Sequence, residues 1–141
     1  MSNKAIGSEF EKEMAEILAK NGFWVHFIVP DARGAQPFDI IAVKDKKAFA
    51  IECKTLVFGR RYFSVERLEE NQKMAFDRWM RCGNGNPIIA VKQTNDIVTF
   101  EYKDLINEDK KRIDMRQAID RNNMIVVDGF GIYGIMKEMM L

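Results

Sequence analysis

The chain is expected to fold as an α/β protein, a β-sheet flanked by helices in the order α-β-β-β-α-β-β with a C-terminal helical segment. Three observations predict this. Residues 24–54 hold three runs rich in β-branched and aromatic residues, a stretch with helical spacing of apolar residues lies on either side of them, and two more strand-like runs follow a glycine- and asparagine-rich stop at residues 82–87. At 141 residues, 47% hydrophobic and 30% charged, the sequence suits one domain over 1–141. A chain of this length buries roughly two-thirds of its unfolded surface and needs no disulfide or structural metal. Within it, residues 1–103 read as the core unit and 104–141 as an extension whose role the sequence leaves open.

The first element is a helix. Phe10, Met14, Ile17 and Leu18 recur at helical spacing, Ser8 suits the N-cap, and Gly22 stands where the helix should stop. Strands are expected over 24–29, 38–43 and 48–54, with Pro30, Gly34 and Pro37 punctuating the first gap. A second helix is expected over 65–81, because Val65, Leu68, Ala75, Phe76 and Trp79 share a face. Residues 87–92 and 97–102 read as strands joined by a turn around Asn95 and Asp96. Residues 104–121 read as an exposed charged helix and 124–127 as a short strand. Ile132, Ile135, Met136, Met139 and Met140 form an apolar stripe on a last helix, suited to core packing or, alternatively, to a partner contact.

Composition removes several classes. Cys53 and Cys82 form no CxxC pair and His26 is the only imidazole, which argues against zinc and fits a reducing cytosol. No signal-like apolar run opens the chain, and no stretch approaches the ~18 apolar residues of a membrane span, so a cytoplasmic protein is expected, in the host cytoplasm if the source is viral. No organic cofactor is indicated. Net charge is only +1, so any hold on nucleic acid must come from locally clustered charge. Lys44, Lys46, Lys47, Lys54, Arg60 and Arg61 against Asp45 and Glu52 form such a cluster. On charge alone, a solvated basic face is an equal reading.

The most informative pattern lies in strands two and three. A short polar link over residues 44–47 favours an antiparallel hairpin. With a loop of two or four residues, paired positions sum to 91 and Asp39 faces Glu52; a three-residue loop breaks that pairing. Directly opposed positions place Cβ atoms about 4.5–5.5 Å apart, close enough for both carboxylates to touch one cation. Strand alternation puts Ala48, Ala50, Glu52 and Lys54 on one face and Phe49, Ile51 and Cys53 on the other. Facing carboxylates repel, so a fold that keeps them together neutralises them with a cation or a shared proton. Mg²⁺ is the natural candidate, with Mn²⁺ expected to substitute. Lys54 adds a positive group for a phosphate or the nucleophile. The alternative is an Asp, Glu and Lys salt-bridged on an exposed sheet.

Pro37-Phe38-Asp39, then twelve residues, then Glu52-Cys53-Lys54 resembles the PD-(D/E)xK nuclease signature. The wider pattern is Gly7-Ser8, Glu11, Asn21-Gly22-Phe23, Asp39-Ile40-Ile41-Ala42, and Ile51-Glu52-Cys53-Lys54. It resembles archaeal and phage Holliday junction resolvases over roughly the first two-thirds of the chain. The resemblance implies a restriction-endonuclease-like central mixed β-sheet. It also implies a homodimer whose two Mg²⁺-dependent sites nick opposing strands of branched DNA symmetrically. Glu11 then becomes a third acid of the metal shell and the Cys53 carbonyl a further ligand, although Ser8 to Glu11 also fits a capping box. The family often carries a Lys-Gly pair before this helix and basic residues beside the acid or on the first strand. Here Ile6 precedes Gly7, and Lys12 and Arg33 are the candidate replacements for DNA contact.

Gln72, an amide on the apolar face of the second helix, is a candidate to bond a metal-binding carboxylate, or else reaches solvent from the helix edge. Arg60, Arg61 and Tyr62, with Phe58 and Phe63, suit a mobile DNA-facing loop in which arginine bridges phosphates and an aromatic wedges at the junction centre; packing on the sheet is the alternative. Junction resolution is therefore the leading expectation. A restriction, replication or repair nuclease of the same fold and a non-catalytic DNA-binding module stay open beside it.

Overall fold

The computed structural model describes residues 3–29, 36–107 and 111–141, with the backbone alone for 3–8. The elements in order are α1 (Asn3–Lys20), β1 (Trp24–Phe27), β2 (Ile40–Lys44), β3 (Lys47–Thr55), β4 (Tyr62–Ser64), a 3₁₀ turn (Val65–Arg67), α2 (Glu70–Arg81) and β5 (Ile88–Gln93). They continue with β6 (Asp96–Glu101), α3 (Tyr102–Asn107), β7 (Arg112–Asp114), α4 (Met115–Arg121), β8 (Ile125–Val127), β9 (Phe130–Gly134) and α5 (Ile135–Met140). Seven strands form one sheet in the order β1-β2-β3-β5-β6-β9-β8, and β4 pairs with β7 apart from it. The β3–β5 and β6–β9 contacts are parallel and the others antiparallel. This is the expected central mixed sheet with helices on both faces.

Period-two alternation divides the core between those faces. Ile40, Ala42 and Ile51 pack with Phe10, Met14 and Leu18 of α1 and with Met136 of α5. Ala50, Ile89 and Val91 pack on the other side with Leu68, with Phe76 of α2 and with Tyr102, Leu105 and Met115. Cys53 lies against the α1 side, as its strand position predicts. Helix α1 ends in a Schellman motif: Phe23 N–H bonds the Leu18 carbonyl at 3.1 Å and Gly22 N–H the Ala19 carbonyl at 3.1 Å. Gly22 takes φ +88, a left-handed conformation that favours glycine.

Four expectations are corrected. Helix α1 begins at Asn3, so Ser8 lies inside it and is not its N-cap, which removes the capping-box reading of Glu11. The helix expected over 65–81 is broken: Leu68 and Glu69 are extended, and α2 starts from a capping box in which Glu69 and Gln72 satisfy each other's backbone N–H groups. The charged helix expected over 104–121 is two short helices with β7 between them. Burying Ile113 beside Phe63 requires that strand, and Asp114 then caps α4 by accepting from Gln117 N–H at 3.2 Å. Finally, Ile132 belongs to β9, not to the last helix, which spans only Ile135–Met140. The stripe is nonetheless core, since Ile132, Met136 and Met140 are all buried. Gly134, at φ +91, marks the strand-to-helix step; a Cβ there would stand 2.5 Å from the Thr99 carbonyl oxygen. Residues from Tyr102 onward thus supply two strands of the sheet and part of both cores.

Candidate active site

The site grows out of the β2–β3 hairpin. Lys44 pairs with Lys47, leaving Asp45 and Lys46 as a two-residue turn with φ 52 and φ 67. Two consecutive positive φ values define the type I′ geometry that matches strand twist. All pairs then sum to 91, up to Ile40 opposite Ile51. Asp39 stands one step beyond that last pair, next to Glu52, with its N–H on the Ile51 carbonyl at 3.2 Å.

Both acids are buried, Asp39 at 7% and Glu52 at 2% exposure. Asp39 accepts from Cys53 N–H at 2.7 Å and from Gln36 Nε2 at 2.6 Å. Glu52 Oε2 accepts from Gln72 Nε2 and lies 3.4 Å from Lys54 Nζ. Its other oxygen, Oε1, is buried and has no hydrogen-bond partner among the described residues. Helix α1 crosses the sheet so that Glu11, half-buried, meets the same group. Burial first, then the Asp39 charge and a hydrogen bond between the two carboxyls, push Glu11 up to about 7. Glu52 is pushed up to about 9 by burial, then by the close approach and charge of Asp39, with Lys54 pulling the other way. The Cys53 thiol is raised by burial and by the charges of Asp39, Glu52 and Glu11. The three acids thus stand together around Cys53, with Lys54 against Glu52.

Gln72 reaches this cluster by a route its sequence position does not show. Its Oε1 accepts the Glu69 N–H at 3.1 Å, which turns its amide Nε2 toward Glu52. Gln36 is a participant that sequence reasoning missed; its place three residues before Asp39 is the only signal. The expected DNA contacts scatter. Lys12 is exposed on α1 beside Glu11. Lys44 sits at the far end of β2, about 16 Å along the strand from Asp39, where its Nζ donates to the Asn21 carbonyl at 2.8 Å at the end of α1. Arg60 is exposed, and Arg61 is bonded to Asp114 through Nε at 3.0 Å and Nη2 at 2.8 Å. Tyr62 lies under Arg112, 4.1 Å from ring centre to guanidinium carbon. Arg33, with Pro30 and Gly34, lies outside the described residues. Backbone and side-chain hydrogen bonds tie the loop that carries Arg60 and Arg61 to the neighbouring segments on both sides.

Among the described residues, no group of three or more His, Cys, Asp or Glu side chains is arranged to hold a metal ion; the carboxylates are turned on one another and on Gln36 and Gln72. The donor set nevertheless fits a divalent cation. Three acids, two of them buried, stand together, and a buried carboxylate oxygen has no partner among the described residues, both of which a hard cation with oxygen ligands would satisfy.

Comparison with known proteins bears on this arrangement. A family model described as archaeal Holliday junction resolvase (hjc) matches residues 2–129. The structure of Archaeoglobus fulgidus Hjc, a Holliday junction resolvase from an archaeal hyperthermophile, is similar with a TM-score of 0.55. The match covers 77% of this chain and 86% of that one at 21% identity, a likeness of fold. No curated protein sequence matches the chain.

Proposed function

We propose that this chain, which belongs to the archaeal Holliday junction resolvase family of PD-(D/E)xK nucleases, cuts four-way DNA junctions by a divalent-cation-dependent reaction, as a homodimer placing one nick in each of two opposed strands. The observation that carries the reading is the buried convergence of Glu11, Asp39 and Glu52 with Lys54 at one end of the β2–β3 pair.

Glu11, Asp39, Glu52 and the Cys53 carbonyl would hold Mg²⁺, or Mn²⁺ in its place. The cation supplies Lewis acidity and cancels the repulsion between carboxylates and phosphodiester. The protein supplies position. Asp39 is held by Gln36 and the Cys53 N–H and Glu52 by Gln72, which fixes where the two carboxylates stand beside each other. Lys54 Nζ stands beside Glu52 on the same strand face. There it donates to a non-bridging phosphate oxygen and opposes the charge that grows as the phosphorus becomes pentacoordinate. Lys12 and Arg60 contribute positive charge to the backbone of the arms, a positioning role without base readout, and Arg61, paired with Asp114, holds the loop that presents Arg60.

The test is a substrate panel of four-way junction, flap, single strand and linear duplex, with and without Mg²⁺. Paired nicks in the junction alone, dependent on the cation, are expected. Equal cutting of all forms would remove the junction claim and leave a nuclease of the same fold. Junction binding with no cutting in any divalent cation would leave a DNA-binding module.

A further inference from the structure

Phe58 is the most conspicuous unused residue, a large aromatic at 84% exposure beside Val57 at 67%. It does not lie on a loose loop. Leu56 N–H bonds the Lys92 carbonyl at 2.8 Å, and Arg60 N–H closes a tight turn on the Val57 carbonyl at 3.1 Å. Gln93 Nε2 donates to the Val57 carbonyl at 3.0 Å and to the Arg60 carbonyl. On the far side, Arg61 is bonded to Asp114, and its carbonyl accepts the Met115 N–H at 2.9 Å. Gly59, at φ +89, supplies the one left-handed residue the turn needs. The backbone is therefore clamped at 56, 57, 60 and 61, and Phe58 is held out at the tip. The neighbouring aromatics are engaged elsewhere: Phe63 is fully buried, and Tyr62 is paired within β4 under Arg112.

We infer that Phe58 is a preformed wedge that enters the base stack at the branch point, and that Gln93 is the positioning residue that holds it rigid; this rests on the reading of the chain as a junction nuclease. Three features favour DNA as the occupant. Phe58 follows Lys54 by four residues, so it lies within about 14 Å of it along the chain. At about 3.4 Å per nucleotide of one strand, the tip falls within roughly four nucleotides of the cut. A cleft of about 510 Å³ flanks it, lined by Phe58, Arg60, Gln93 and Arg116 with Asp96 and Asp120 on its wall. Guanidinium groups suit phosphate and carboxylates suit base N–H groups, so this mixed lining fits a nucleotide strand displaced by a wedge. Preorganisation explains the clamp, because a floppy aromatic would be ordered only on binding and would lose affinity for doing so.

The test uses the full chain carrying Asp39→Asn, to bind without cutting, and a junction with 2-aminopurine at the branch point. Fluorescence should rise on binding, the rise should be lost with Phe58→Ala, and Phe58→Trp should restore it. Junction affinity should weaken about tenfold with Phe58→Ala, the loss of one stacked base, while linear-duplex affinity stays unchanged. Gln93→Ala, with Phe58 intact, should diminish the rise. A rise that persists in Phe58→Ala, or equal loss of junction and duplex affinity, overturns the wedge and leaves the nuclease reading standing. A protein that retains Phe58 yet shows no preference for the junction overturns both.

Discussion

At one end of the β2–β3 hairpin stand Lys44, Asp45, Lys46 and Lys47; at the other stand Asp39, Glu52 and Lys54. The two ends contain similar residue types and differ in burial. Asp45, Lys46 and Lys47 are exposed on a type I′ turn, hydrated whatever their charge, and Lys44 is occupied with the end of α1. At the opposite end, α1 and α2 bring Glu11 and Gln72 to the strands, Asp39 and Glu52 are buried, and burial raises Glu11 and Glu52 above the usual carboxylate range. Charge in a strand pair thus becomes chemistry only where a helix on each face removes the solvent that would screen it.

The sharpest way to break this comparison is to neutralise one acid at each end. Asp39→Asn or Glu52→Gln should reduce junction cutting on the order of 10³-fold, whereas Asp45→Asn should leave the rate within about twofold; comparable losses would show that burial is not what separates the two ends. Next in size is Lys54→Ala. With its charge acting on the developing phosphorane, cutting should fall about 10²–10³-fold in kcat with KM little changed. A change confined to KM would make Lys54 a DNA-binding group only.

Stability carries a smaller signature of the same contrast. Below pH 4.5, the ordinary glutamate value, Glu52 is protonated whether the chain is folded or not. Between 4.5 and about 9 only the folded protein keeps that proton. The folded state then binds more protons than the unfolded one, so its stability falls as pH rises, by up to about 1.4 kcal/mol per unit for one such group. Metal-free protein should therefore melt at progressively lower temperature from pH 5 to 9, and Glu52→Gln should flatten that slope. Added Mg²⁺ should offset the loss at the alkaline end. Smallest of all, Lys46→Gly relieves a φ of 67. Chemical denaturation should find it more stable by up to about 1 kcal/mol, with cutting unchanged.

The contrast also explains what could be read from residues alone. The hairpin register was legible because strand alternation and a two-residue turn are local rules, and Asp39, Glu52 and Lys54 follow from them. Glu11 is legible only through resemblance, because bringing α1 to the sheet is tertiary packing. Gln72 stands out as an amide on an apolar face, but its orientation depends on the N-cap three residues earlier, where the apolar pattern running on from Val65 hides the break at Leu68 and Glu69. Strands β4 and β7 have three residues each. Such runs are too short for a period of two to emerge, and long-range pairing alone makes them strands. Ile132 fits a helical stripe with Ile135, Met136 and Met139, and only Gly134, with no room for a Cβ against Thr99, marks where strand gives way to helix.

The central claim is that Glu11, Asp39 and Glu52 together hold a divalent cation, and Mn²⁺ titration of the DNA-free protein followed by electron paramagnetic resonance tests it most directly. At pH 8.5 the intact chain should bind Mn²⁺ in competition with Mg²⁺. Glu11→Gln, Asp39→Asn and Glu52→Gln should each weaken that binding by at least about tenfold. Equal affinity in all four proteins would place the cation elsewhere and contradict the account.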